Sequence, residues 1–189
     1  MAVTEFARSL RAEQGIALVV VATPVGPLAH AIDAYRQAVA VRLGSNVAHR
    51  DEAHCLLVRA YRDHPSSVDA YCDALAATVS EAGQRGHRSV TVTELCTTAT
   101  WHGLEIDSPA LLALAVDFAT RANAAAPGCN VTRQDRLCLT LAAEFHGADQ
   151  HAMSEFAHRI VNPTLTAQWQ LGLWQSNGGA WASVWHERT

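Results

Sequence analysis

No run of 18 or more apolar residues occurs in the 189-residue sequence, so it offers no membrane-spanning helix. Lysine is absent as well; all 14 basic residues are arginine, and no function follows from that. The five cysteines, at 55, 72, 96, 129 and 138, are odd in number and never spaced CxxC. That pattern excludes a zinc ribbon, argues against a disulfide framework and favours a reducing cytoplasm. Glycines 83, 86, 103 and 128 form neither a Walker loop nor a GxGxxG turn, which disfavours a nucleoside triphosphate or dinucleotide fold. His146, His151 and His158 lack the spacing of a zinc-binding HExxH helix, and no acid-rich calcium loop is present, so no metal and no cofactor is expected. A net charge of −4 gives no general attraction for nucleic acid, and the arginines are scattered among 18 acids rather than gathered along a groove. Low-complexity tracts and charged tails are also missing.

What is present is a globular composition, 49% hydrophobic and 17% charged, over a length suited to one domain, residues 1–189, of two lobes. The segment GIALVVVATPVGPLAHA after Arg8 and Arg11 has the outline of a signal peptide, but Glu5 and Glu13 dilute its positive flank. Leu18 to Val21 followed by Thr23-Pro24 fits a buried first strand equally well.

A helix is predicted from Leu28, Ile32, Tyr35 and Val39 up to Gly44, then a strand in AHCLLVRAY and a helix from Pro65 and Ser66 to Gly83. Residues 88–108 alternate strongly enough for two strands turning around Thr97 to Thr100, without an Asn-Gly signal. Ser108 caps a helix that ends at Pro127-Gly128; a strand over 136–143 and a helix over 149–161 follow. Asn177-Gly178-Gly179 joins two closing strands rich in tryptophan.

The strand RLCLTLAAEF separates two kinds of side chain. Leu137, Leu139 and Leu141 share one face, while Cys138, Thr140 and Glu144 share the other. An internal echo appears at an offset of 84 residues, from 54 to 138: His54 falls on Cys138, Leu56 on Thr140 and Tyr61 on Phe145, each strand leading through a polar loop into a helix.

At these two strands the sequence resembles the 2H phosphoesterase superfamily, and within it the cyclic phosphodiesterase-like proteins. Their motif is His, any residue, Thr or Ser, then an apolar residue, once in each of two lobes. Here the positions are filled by His54-Cys55-Leu56-Leu57 and Cys138-Leu139-Thr140-Leu141. The resemblance implies an α/β (α+β) fold of two pseudo-symmetric lobes, with antiparallel sheets around a central cleft and helices outside. It also implies a small, phosphorylated or nucleotide-like ligand in that cleft. In the family one His is general base and the other general acid, a division suited to a side chain whose ordinary pKa is about 6.5, and the hydroxyls hold phosphate. This chain keeps one His and one Thr; Cys138 replaces the second His and Leu56 the first hydroxyl. A thiol, with a pKa of about 8.5, supplies no cation to a phosphate at neutral pH.

The resemblance therefore implies His54, Thr140 and Cys138 as catalytic positions, with Leu56, Glu144, Trp101 and His102 bordering the ligand. Two other readings stay open: a repurposed biosynthetic enzyme catalysing isomerisation, cyclisation or acyl transfer, and a noncatalytic binding protein. Each residue also has an ordinary structural role, His54 as a hydrogen-bonded sheet histidine, Cys138 as a small apolar filler and Trp101 as core.

Overall fold

The computed structural model describes residues 15–44, 52–83, 90–143, 145, 149–165, 167–178 and 180–187. Strand β1 (Ile16–Val25) is apolar and buried over most of its length. Gly26, with a φ of 93°, turns the chain into helix α1 (Pro27–Leu43), whose first turn takes the proline where its missing N–H costs nothing. Strands β2 (His54–Leu56) and β3 (Tyr61–Asp63) follow, then helix α2 (Val68–Gly83), hairpin β4 (Thr91–Thr97) with β5 (Trp101–Asp107), and helix α3 (Pro109–Ala125). Strand β6 (Leu137–Ala143), helix α4 (Gln150–Ile160) and strands β7 (Gln168–Ser176) and β8 (Ala182–His186) complete the described elements.

These strands form one antiparallel sheet in the order β4-β5-β6-β2-β1-β7-β8, with β3 also paired to β1. Its two halves, β4-β5-β6 and β2-β1-β7-β8, meet at β2 and β6, so the two strands of the internal echo are immediate neighbours. The single strand expected over AHCLLVRAY is divided. Val58 bridges to Arg133, and Arg59 N–H donates to the carbonyl of Thr132, which diverts residues 58–60 from the β1 ladder until β3 rejoins it.

Helices pack on one face of the sheet. Leu18, Val20 and Ala22 of β1, Leu104 and Ile106 of β5, and Leu137, Leu139 and Leu141 of β6 enter one core with Tyr35, Tyr71, Phe118 and Met153 from the four helices. Helix α1 packs beside α4, and α2 beside α3. On the opposite face a second, smaller cluster joins Val19 and Val21 to Trp174, with Leu56 and Trp181 against it. Coverage of β1 from both sides explains why its sequence is a continuous apolar run instead of an alternation.

Local chemistry sets the element ends. Ser108 Oγ accepts from the Leu111 N–H at 3.2 Å, the expected cap of α3. The β4–β5 turn closes without Asn-Gly because Thr98 supplies the bonds: its N–H and hydroxyl both donate to the Trp101 carbonyl, at 2.8 and 2.9 Å.

Candidate functional site

The β2–β6 ladder sets His54 directly opposite Thr140 and Cys55 opposite Leu139. The first position of one motif thus meets the third position of the other. Carried one residue further, the same register brings Leu56 level with Cys138, which is the pairing a two-fold relation between the strands requires. All four side chains lie on the face away from the helices, because Cys55 and Leu139 between them belong to the helix-side core.

His54 is 4% exposed. Its Nδ1 lies 2.6 Å from the carbonyl oxygen of Glu52, which can only accept, so Nδ1 donates this bond. The edge of the ring meets Trp174, with centroids 5.1 Å apart and planes at 61°. Backbone and indole together hold the imidazole in one orientation.

Thr140 is held from the other side. Trp101 Nε1 donates to its Oγ1 at 3.2 Å. The indole reaches it by lying across Gly103, which pairs with Thr140 in the β5–β6 ladder. A Cβ at position 103 would stand 2.2 Å from Trp101 Cζ2 and 2.7 Å from the Leu139 carbonyl, so the arrangement requires glycine there. With its oxygen accepting from Trp101, the Thr140 hydroxyl retains a proton to donate.

Cys138 stands opposite Glu105 on β5 and diagonal to His54 on β2. Burial raises the thiol's pKa, Arg136 opposes the rise and Glu105 adds to it, so Cys138 is a neutral thiol at neutral pH.

Solved structures similar to this chain include the following two. A crystal structure of E. coli LigT in apo form is 12% identical, with 93% of this chain and 98% of that one covered and a TM-score of 0.47. A crystal structure of a phosphoesterase is 12% identical, with 92% of this chain and 98% of that one covered and a TM-score of 0.45. No family model and no curated protein matches the sequence.

The remaining expected residues divide. Trp101 and Leu56 lie on the His54 face, the one as the clamp on Thr140 and the other within the small apolar cluster. His102 does not. It is fully buried on the helix side, 3.5 Å from the Tyr35 hydroxyl through Nδ1 and edge-on to Phe145 at 4.7 Å. The ladder shifts register between His102 and Gly103, and Ala142, the partner of His102, turns inward with it. Glu144 lies outside the described residues.

Sequence reasoning did not single out Trp174, the Glu52 carbonyl or Gly103. Glycine two residues from a tryptophan in a strand was the available signal for Trp101–Gly103, and it recurs at Gly172–Trp174, where a Cβ would lie 3.2 Å from Trp174 Nε1. Also unforeseen was a patch of Glu94, Cys96 and Glu105 on the same face, beyond Cys138. A separate groove of about 470 Å³, lined by Arg59, Thr120, Asn123, Arg133 and Asp135, lies beside α3, and Arg59 is ion-paired there with Asp135.

Proposed function

We propose that the protein is a divergent 2H phosphoesterase-like protein that binds a small, phosphorylated or nucleotide-like ligand over the β2–β6 seam, with His54 as its acid–base group. The observation that carries this is the register: His54 faces Thr140 across two antiparallel strands that each bear half of a repeated motif. In this reading His54, with its Nδ1–H donated to the Glu52 carbonyl, takes a proton through Nε2 from water or a ribose hydroxyl. The Thr140 hydroxyl, positioned by Trp101, donates to a phosphoryl oxygen. Trp174, backed by Val21 beneath it, offers an apolar edge to a base or other ring. Cys138 shapes the floor and contributes a weak S–H donor.

Turnover of a 2′,3′-cyclic nucleotide by wild type and by His54→Ala tests the assignment. Slow hydrolysis that His54→Ala removes is expected. No hydrolysis at high enzyme concentration, or equal hydrolysis by the variant, contradicts it.

A specific observation supports a second reading, in which the fold serves a small-molecule reaction without phosphate. Leu56, at a position where the family carries a hydroxyl, packs with Val19, Val21 and Trp174 and makes that half of the face apolar. Thermal stabilisation by an uncharged aromatic ligand, with none from nucleotides, would favour it.

A further inference from the structure

We propose that Glu94, Cys96 and Glu105, completed by Cys138, bind a thiophilic divalent cation of the zinc class on the sheet face that carries His54. The β4–β5 ladder pairs Glu94 with Glu105 and Cys96 with Gly103, which puts the three side chains on one face, and the β5–β6 ladder adds Cys138 opposite Glu105. The Cys96 sulfur and one carboxylate oxygen from each glutamate lie within 4.8 Å of one another. A tetrahedral zinc site with ordinary bond lengths holds its ligand atoms ~3.5 Å apart, so small side-chain rotations close the set. Cys138 is the direct cross-strand neighbour of Glu105, at a spacing of ~4.5–5.5 Å between Cβ atoms, from which its sulfur can turn to the fourth position.

Chemistry selects the ion. Two thiols with two carboxylates form a mixed sulfur and oxygen donor set that suits zinc and its neighbours and disfavours calcium and magnesium. Cys96 Sγ donates to Glu94 Oε1 at 3.1 Å, and this proton leaves on binding. The balance is one cation in and two thiol protons out, from Cys96 and Cys138, with the carboxylates already ionised. Four anionic ligands around a dication leave two negative charges, and Arg136, now paired with Glu105 at 2.5 Å, offsets one of them from the outer shell. Its side chain is 73% exposed, so it can swing aside without losing a buried partner. The site stands independently of the phosphoesterase reading, since its readout needs no substrate.

Titration of the metal-free, reduced full-length chain with Co²⁺, followed by displacement with Zn²⁺, tests the proposal. Saturation at one equivalent is expected, with a thiolate-to-cobalt charge-transfer band and intense visible bands of tetrahedral geometry. Cys96→Ser and Cys138→Ser should each remove about half of the charge-transfer intensity, and Glu105→Gln should weaken binding at least about tenfold. Cys72→Ser and Cys129→Ser should leave the spectrum unchanged. Absence of a charge-transfer band, or a band undiminished in Cys96→Ser with a native circular dichroism spectrum, would overturn the site.

Discussion

Trp101 reaches Thr140 only because residue 103 has no side chain. Gly103→Ala would force the new methyl against both the indole and the fixed Leu139 carbonyl. The expected result is a loss of about 1–3 kcal/mol in denaturant unfolding, together with release of the indole from the Thr140 hydroxyl, read as a change in tryptophan fluorescence. An unchanged midpoint and spectrum would show that the clamp does not hold in solution. At this scale the pairing of positions 54 and 140 was legible in the sequence, since a repeated motif marks positions that the β2–β6 ladder sets opposite each other. Their partners were not. Glu52 acts through a backbone carbonyl, which no residue type encodes, and Trp174 reaches His54 across β1, a neighbour relation set by strand order.

Among the elements, α3 shows how far local signals reach. Ser108 was readable as a cap from its place before Pro109 and an apolar helical stripe, and its hydroxyl does accept from Leu111. Ser108→Ala should destabilise the protein by about 1 kcal/mol, measured by urea unfolding, and Ser108→Asp should restore most of that. The alternation along β6 was equally plain as far as Leu141, with its leucines inward and with Cys138 and Thr140 outward. Alternation could not reveal the register shift beside Gly103, which turns Ala142 inward, whereas it does place His102, next to the tryptophan that clamps the site, on the buried opposite face. The division of AHCLLVRAY into two strands has the same character, because it depends on a distant loop, residues 131–134, pairing with residues 57–59.

For the whole molecule, the order β4-β5-β6-β2-β1-β7-β8 is what turns two half-motifs into one place. The echo at 84 residues suggested two similar units; hydrogen bonding between β2 and β6 supplies their meeting point. The same assembly buries His102 between sheet and helices, beside Tyr35 of α1 and Phe145 and within the field of His158 on α4. Burial, with a smaller contribution from His158, lowers its pKa from 6.5 to about 4. Unfolded chains therefore take up this proton as pH falls through about 6.5, while folded chains resist until about 4. Stability should decline across that window, by on the order of 3 kcal/mol from this group, and His102→Asn should flatten the decline in urea midpoints between pH 7.5 and 4.5. An equally steep profile in the variant would assign the effect to other groups. The central claim, that β2 and β6 present one paired site in register, is tested most directly by completing the motif. In the presence of a chelator, Cys138→His combined with Leu56→Thr should raise 2′,3′-cyclic nucleotide hydrolysis well above wild type, and adding His54→Ala should abolish the gain. A folded double variant with no gain, or a gain that survives loss of His54, would contradict the account.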